Sequence, residues 1–257
     1  MSQEGAPSSE AERADVLEES VIESLTAVVP VYAETDPLVD VVEGLIRELG
    51  DVLHEVRIIL AAQAPTTTRA ICMELADRIE VVHMSEQEHG PGLGWAVRQG
   101  IAESRGTHIL LIDGDGEMDV KTVPAMVRLM EERGADLVVG SRWIPGGGAK
   151  GYSRPKRILN RGFQVIFRAL YRTTLHDLTL GFKLGRGSMF KQLPWRGEFH
   201  EIACETTLRP LRAEYKVLEV PTVWRRRTEG TSSNPIRRNF RYVTTALRIL
   251  FEFRATQ

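Results

Sequence analysis

The chain has 257 residues, of which 42% are hydrophobic and 26% are charged. This composition is ordinary for a globular protein and excludes disorder as the main state. The longest apolar runs, such as Ile109–Ile112, are too short to span a bilayer, and no secretory signal is recognisable. Cys72 and Cys204 stand alone, so they form neither a metal-binding spacing nor a disulfide framework. These features favour a cytoplasmic globular protein.

The two parts of the chain differ strongly in charge. Residues 1–150 contain 12 Lys and Arg against 27 Asp and Glu, whereas residues 151–257 contain 21 against 8. The acidic part could hold a metal ion, and the basic part could face phosphates, an anionic membrane or nucleic acid. Because no nucleic-acid motif or base-stacking pattern is present, nucleic acid is not favoured. A dipolar surface without a specific partner is the alternative.

The elements up to residue 140 alternate between strand and helix. Residues 1–20 predict a disordered acidic tail, and residues 24–31 predict a buried strand. Asp36 and Pro37 then begin a helix whose apolar residues recur at helical spacing up to Leu49. Further strands are predicted at 56–61, 79–83, 108–112 and 136–140, and further helices at 68–77, 94–104 and 123–132. This alternation predicts an α/β fold with a largely parallel sheet that binds ligands beyond the carboxyl ends of its strands.

Beyond residue 140 the pattern is less regular. A Gly-rich loop lies at 145–148. After it we predict helices at 156–172, 201–214 and 235–253 and strands at 178–184 and 216–224. No linker separates two domains, so we predict one domain over 21–233. The segment 234–257 is predicted as an amphipathic basic helix that packs on the domain or on a membrane surface. Both basic, apolar helices suit a membrane interface, and core packing or a dimer face are the alternatives.

An acidic cluster directly follows the apolar strand at 108–112. Its members are Asp113, Asp115, Glu117 and Asp119, with glycines at 114 and 116. Alternate side chains of an extended segment point the same way, and glycine allows a phosphate to approach closely. Oxygen ligands of this kind suit Mg²⁺ or Mn²⁺ bridging to a diphosphate. A polar turn after a strand is the alternative interpretation.

Eight short motifs follow one another along the chain, at residues 28–34, 92–100, 113–115, 139–143, 160–162, 177–183, 219–221 and 227–232. In this order they resemble the motifs of family 2 glycosyltransferases with the GT-A fold. Within that family they are most similar to polyprenyl-phosphate sugar transferases such as the dolichyl-phosphate mannose synthases. The resemblance implies a Rossmann-like, mostly parallel central sheet flanked by helices.

The resemblance also implies an activity. It indicates an inverting, metal-dependent transferase that moves a hexose from a nucleotide sugar to a polyprenyl or dolichyl phosphate. GDP-mannose is the first expected donor and UDP-glucose the second, and the enzyme would act peripherally at the cytoplasmic membrane face. Two alternatives remain: a soluble hydroxyl acceptor, and a catalytically silent nucleotide-binding subunit. The oligomeric state is left open.

The resemblance assigns roles to residues that match the family's motifs. The expected catalytic residues are Asp113, Asp115 and Asp177, where Asp177 is either a base or a group that orients the acceptor. The expected donor-binding residues are Pro30, Tyr32, Glu34, Gly92, Asp113, Arg142 and Arg227. The expected acceptor-binding residues are Lys156, Arg157, Asn160 and Arg161. The expected ligands of Mg²⁺ or Mn²⁺ are Asp113, Asp115 and Glu117.

The chain also departs from the family's motifs. The second strand usually ends in Asp-Asp-Gly-Ser, and this chain has Leu60–Pro65 there without an acid. Ala33 stands where the family has Asn, and Ser233 stands where it has Lys. Because the acid that usually contacts the nucleoside is missing, these changes support the alternative of a silent subunit, whereas the intact Asp113-Gly114-Asp115 motif opposes it.

Overall fold

The computed structural model describes residues 22–226 and 235–252, except for the side chains of Lys156 and of residues 235–239. The predicted acidic tail and Arg227 therefore lie outside the described residues. Within the described helices, no segment is both long and apolar enough to cross a bilayer.

A seven-stranded sheet forms the centre of the fold, in the order β3-β2-β1-β4-β7-β5-β8. Its strands are β1 (Leu25–Val31), β2 (Leu53–Leu60), β3 (Val82–Glu86), β4 (His108–Leu111), β5 (Leu137–Ser141), β7 (Lys183–Arg186) and β8 (Val217–Pro221). Among these strands β7 is antiparallel to its neighbours β4 and β5, and the other pairings are parallel. Strands β6 (Gly148–Lys150) and β9 (Val223–Arg225) form a small parallel sheet of their own. The predicted α/β fold with a mostly parallel sheet is confirmed.

Helices cover both faces of the central sheet. They are α1 (Asp36–Leu49), α2 (Thr66–Arg78), α3 (Leu93–Glu103), α4 (Val123–Arg133), α5 (Arg154–Tyr171), α6 (Gly187–Gln192), α7 (Ile202–Arg212) and α8 (Pro235–Glu252). Successive residues of a strand point to opposite faces. Accordingly, Leu110 packs in a core with α1, α2 and α4, whereas Ile109 and Leu111 pack in a second core with α3 and α6. Because both faces are covered, the strands are nearly continuous apolar runs.

A third apolar cluster joins α8 to α5 and α7. Ile249 and Leu250 of α8 pack with Leu208 of α7 and with Tyr171 of α5. The Tyr171 hydroxyl donates a hydrogen bond to the backbone oxygen of Ala246 at 2.6 Å. The last helix is thereby held against the body of the domain through one of its faces.

The structure corrects three of the predicted strands. The strand expected at 79–83 lies at Val82–Glu86, because α2 runs to Arg78 and a turn follows it. In this turn the Val82 amide donates a hydrogen bond to the Ile79 oxygen at 2.9 Å. The strand expected at 178–184 begins only at Lys183. The strand expected at 216–224 is two strands, β8 and β9, which separate at Pro221 and belong to different sheets.

Candidate active site

The predicted site residues follow strands that end at one edge of the sheet. Strands β1, β4 and β5 run in the same direction, since β7 is antiparallel to both β4 and β5. Their carboxyl ends therefore meet at one edge, where Glu34, Asp113 and Arg142 follow them. Because β7 runs the other way, the segment that leads into it, including Asp177 and Gly181, reaches the same edge.

A cavity lies at this edge beside Asp113. It lies between the beginnings of α3 and α7 and is lined mainly by apolar residues: Pro30, Leu93, Val97, Leu111, Ile112, Asp113, Gly181, Ile202, Ala203 and Thr206. A Cβ atom on Gly181 would lie 3.8 Å from Asp113 Oδ2, so the absence of a side chain there keeps the carboxylate accessible from that side. The cavity measures about 20 Å³, which is room for about one water molecule, and Asp113 contributes the carboxylate in its lining.

The acidic segment 113–119 has a shape that its own contacts determine. Asp115 Oδ1 accepts a hydrogen bond from the Glu117 amide at 3.0 Å. Glu117 Oε2 accepts one from Trp224 Nε1 at 2.7 Å, and the Glu117 backbone oxygen accepts one from the Arg225 amide at 2.8 Å. Asp119 forms an ion pair with Arg225 at 3.2 Å. Strand β9 thus holds the acidic segment in place from one side.

These carboxylates fit a divalent cation that shares its ligands with a substrate. Within residues 22–226 and 235–252, no three acidic, histidine or cysteine side chains already converge on one point. Mg²⁺ commonly binds through one or two carboxylates together with phosphate oxygens and water. Asp113 and Asp115 supply such a pair, and one oxygen each of Asp115 and Glu117 also accepts a hydrogen bond, from the Glu117 amide and from the Trp224 indole respectively. The role of Glu117 as a ligand stays a prediction.

Arg142 and Asp177 form a buried ion pair at the same edge. Arg142 Nε donates to Asp177 Oδ2 at 2.7 Å, and Nη2 donates to Oδ1 at 2.8 Å. The Arg142 backbone amide also donates to Oδ2 at 3.2 Å. Burial alone would lower the pKa of the guanidinium, but the adjacent Asp177 carboxylate outweighs it and the net pKa is raised. The guanidinium is therefore charged at every pH at which the protein is folded, and it holds the Asp177 carboxylate in a fixed orientation.

Helix α5 contributes amides to this ion pair. Gln164 Oε1 accepts a hydrogen bond from the Leu178 amide at 2.8 Å, and its Nε2 donates to Thr179 Oγ1 at 3.0 Å. The same hydroxyl accepts from Arg142 Nη2 at 3.0 Å and from Asn160 Nδ2 at 3.3 Å. The structure thus brings together Arg142, Asp177 and Asn160, for which the sequence predicted three separate roles.

Two arginines of α5 extend this site toward solvent. The Arg161 guanidinium lies over the Trp143 ring, 5.2 Å from its centroid. Trp143 Nε1 in turn donates to Asn160 Oδ1 at 3.1 Å. Arg157 Nη2 donates to the Ala149 oxygen at 3.2 Å, and both arginines are exposed. Their predicted role toward the acceptor stays a prediction, and the side chain of Lys156 lies outside the described residues.

The predicted donor-binding residues near β1 and α3 occupy the opposite side of Asp113. Pro30 lines the cavity, and Glu34 Oε2 accepts the backbone amides of Tyr32 at 2.6 Å and Ala33 at 2.9 Å. The Tyr32 side chain is 55% exposed, so its ring is accessible to a ligand. Gly92 has a φ of +141°, and a Cβ atom there would lie 2.4 Å from the Glu198 oxygen, which explains why glycine is needed.

Sequence reasoning missed several residues that hold the site together. Gln164 and Thr179 link α5 to the buried ion pair, and Glu219 Oε1 accepts the backbone amides of His176 at 2.6 Å and Asp177 at 2.9 Å. Lys183 is completely buried near Asp113 and Asp177. A signal existed for Lys183, since a lysine stands between the apolar residues 182 and 184 of a predicted strand. Thr179 and Glu219 lie within the motifs at 177–183 and 219–221, but their roles depend on contacts between distant segments, and Gln164 carried no sequence signal.

Comparison with known proteins identifies the family. The family model described as glycosyl transferase family 2 matches residues 26–193. The chain therefore belongs to glycosyl transferase family 2. It is 26% identical over 217 residues to a polyprenol monophosphomannose synthase of Mycolicibacterium smegmatis, covering 80% of this chain and 78% of the relative. It is also 26% identical over 232 residues to a dodecaprenyl-phosphate galacturonate synthase of Rhizobium johnstonii, covering 90% of this chain and 67% of the relative.

Solved structures share the fold at lower identity. The glucosyl-3-phosphoglycerate synthase of Mycobacterium tuberculosis, in complex with Mn²⁺, UDP-glucose and phosphoglyceric acid, superposes with a TM-score of 0.68 at 14% identity. The match covers 96% of this chain and 86% of that one. This likeness confirms the predicted GT-A fold.

The buried ion pair leads to a stability prediction. Asp177→Asn keeps an oxygen that can accept the Arg142 amide but leaves the guanidinium without its counter-charge, so we expect the free energy of unfolding to fall by about 3–5 kcal/mol. Adding Arg142→Met removes the buried, unpaired guanidinium charge and should restore most of the lost free energy of unfolding. Urea unfolding measures both variants. As a control, Glu43→Gln breaks the exposed pair with Arg78 and should cost less than about 1 kcal/mol. Equal losses in the single and double variants would contradict the account.

Proposed function

We propose that this protein transfers a hexose from a nucleotide sugar to a polyprenyl phosphate. The observation that carries the proposal is the meeting, at one edge of the sheet, of the Asp113–Asp115 pair with the Arg142–Asp177 ion pair and Asn160 of α5. The first group suits a metal-bound diphosphate, and the second suits an anionic acceptor next to an apolar helix. The names of the two relatives, which both describe polyprenyl-phosphate sugar synthases, support the same reaction.

On the donor side, the chain offers a pair of carboxylates and a cavity. Asp113 and Asp115 would hold a Mg²⁺ or Mn²⁺ ion, which when bound would offset the negative charge of the departing nucleoside diphosphate. Tyr32 and Glu34 follow the neighbouring strand and would border the nucleoside. The name of the mannose synthase relative supports mannose as the sugar, and GDP-mannose stays the first proposed donor. UDP-glucose is supported by the complex of the structural neighbour.

On the acceptor side, the chain supplies positive charge and orientation rather than a strong base. A phosphate monoester is largely ionised near neutral pH, so its oxygen can attack the anomeric carbon without losing a proton to the enzyme. Asp177 fits this reaction as a positioning residue, since both of its oxygens already accept hydrogen bonds from Arg142. The exposed guanidinium groups of Arg157 and Arg161 would attract the lipid phosphate.

A surface of α5 and α8 suits the lipid part of the acceptor. This apolar surface consists of the exposed residues Ile158, Leu159, Val165, Ile166, Leu170, Phe240, Val243, Leu247 and Phe251. The residues recur at helical spacing on each helix, and the opposite faces of both helices pack in the third apolar cluster. Arg157 and Arg161 lie on the same helix as five of them. Exposed apolar stripes beside arginines are typical of helices that lie in a membrane interface.

A soluble phosphorylated acceptor is the second candidate. The structural neighbour that shares the fold was solved with phosphoglyceric acid, which is a soluble anion. The same cationic groups of α5 would suit such an acceptor. The large apolar surface next to them favours the lipid phosphate, because a soluble acceptor gives it no role.

The donor assignment predicts metal-dependent nucleotide binding. Asp115→Asn keeps the oxygen that accepts the Glu117 amide, so the segment should keep its shape while one ligand charge is lost. We expect calorimetric titration with UDP and GDP in Mn²⁺ to show binding that chelator abolishes, and at least tenfold weaker binding in Asp115→Asn. Asp119→Asn, in the same segment, should bind within about twofold of the original protein. Unchanged binding in Asp115→Asn, or in chelator, would refute the donor assignment.

The apolar surface predicts membrane binding that depends on both apolar and basic residues. In flotation with vesicles of phosphatidylglycerol and phosphatidylcholine, we expect the protein to float at low salt and to dissociate at high salt. Ile166→Ser together with Phe251→Ser should weaken this binding at least tenfold, since each buried apolar side chain contributes about 1.5–3 kcal/mol. Met73→Ser replaces a similarly exposed apolar residue on α2, and this variant should float normally. Failure of the original protein to float at low salt would contradict the assignment.

A further inference from the structure

Lys183 is a completely buried lysine at the beginning of β7. Its Nζ donates hydrogen bonds to the backbone oxygens of Leu180 at 2.5 Å and Ala203 at 2.7 Å. Leu180 directly precedes Gly181, and both Gly181 and Ala203 line the cavity beside Asp113. One ammonium group therefore connects two walls of this cavity, which belong to segments about twenty residues apart in sequence.

The position of this charge is costly for the fold. Burial lowers the pKa of Lys183 to about 7, although Cys204, Asp177 and Asp113 act to raise it and Arg142 acts to lower it further. The two hydrogen-bond acceptors are uncharged carbonyl groups, so they offset only part of the cost of burying a charge. An apolar side chain of similar length would fill the same space, although it would leave the Leu180 and Ala203 oxygens without this donor. A charge that the packing does not need is typical of a functional site.

We propose that Lys183 is a positioning residue for the donor. The inference rests on the proposed function, because the donor's metal-bound diphosphate is what Asp113 is proposed to bind. Lys183 holds the first turn of α7 against the segment at residues 180–181, and this fixes the width of the cavity beside the Asp113 carboxylate. Its positive charge also offsets the Asp113 carboxylate, where an anionic diphosphate must approach, whereas the Asp177 carboxylate is already paired with Arg142. Lys183 itself is buried behind the cavity walls and does not touch the substrate.

This role separates donor binding from acceptor binding. The acceptor network of Asn160, Gln164 and Thr179 is held by its own hydrogen bonds, and none of those bonds involves Lys183. Loss of the ammonium group should therefore affect the donor much more than the lipid phosphate. A purely structural lysine would instead lower stability and would impair both substrates together.

The test compares Lys183→Met with Lys191→Met in the full chain. Lys191 is an exposed control, whose Nζ also donates to a backbone oxygen, that of Ser104 at 2.8 Å, at a position outside the cavity lining. Calorimetric titrations with UDP and GDP in Mn²⁺ give nucleotide affinity, steady-state assays give KM for each substrate, and thermal melting gives the unfolding midpoint. If the methionine variant does not fold, the same measurements are made on Lys183→Gln, whose shorter side chain keeps a hydrogen-bond donor.

We expect Lys183→Met to bind nucleotide at least tenfold more weakly and to raise KM for the nucleotide sugar by a similar factor. Its KM for the lipid phosphate should stay within about twofold. Its unfolding midpoint should change little, because relief of the buried charge offsets the loss of the two hydrogen bonds. Lys183→Gln should be intermediate, and Lys191→Met should bind nucleotide normally. The proposal would be overturned if Lys183→Met bound nucleotide within twofold of the original protein. It would also be overturned if both KM values rose equally and the unfolding midpoint fell. If the original protein binds neither nucleotide in Mn²⁺, the proposed function itself fails, and this inference fails with it.

Discussion

The buried ion pair between Arg142 and Asp177 is the interaction on which the candidate site depends. Removing two charges from water is expensive, so a buried pair is stable only with good geometry and further hydrogen bonds. Here the pairing is bidentate, and Thr179 and the Arg142 amide provide further hydrogen bonds. Because Arg142 follows β5 and Asp177 leads into β7, the pair fixes two segments of the sheet edge relative to each other. Gln164 then fixes α5 relative to both.

The antiparallel strand β7 explains how the two oppositely charged parts of the chain form one site. The acidic segment follows β4, and the basic helix α5 lies far later in the chain. Strand β7 enters the sheet between β4 and β5. Because it runs against its neighbours, the residues before it, from Asp177 to Gly181, reach the edge where Asp113 lies. The acidic side thus suits a donor with a metal ion, the basic side suits an anionic acceptor, and β7 separates and aligns them.

The sequence predicted the elements that depend on local pattern. Helix α1 spans Asp36–Leu49 as Pro37, Gly50 and the apolar spacing indicate, although Thr35 rather than Asp36 occupies the N-cap position and no described side chain caps the helix. The acidic segment follows β4 as expected. The sequence could not show that Arg142 pairs with Asp177, since a contact between residues 35 positions apart leaves no periodic signal. For the same reason each residue was given a separate role. The sequence also could not predict how short β7 is. The backbone amides of Asp177 and Leu178 donate to side chains of β8 and α5 instead of to a neighbouring strand.

The nature of the acceptor tests the central claim most directly. The measurement is transfer of a radiolabelled hexose, from GDP-mannose and from UDP-glucose, to a short polyprenyl phosphate and to the matching polyprenol, with 3-phosphoglycerate as a soluble anion. We expect the polyprenyl phosphate to be glycosylated by at least one donor, and the alcohol and the soluble anion to be glycosylated at least a hundredfold more slowly. Equal transfer to the polyprenol, or faster transfer to 3-phosphoglycerate, would contradict this expectation.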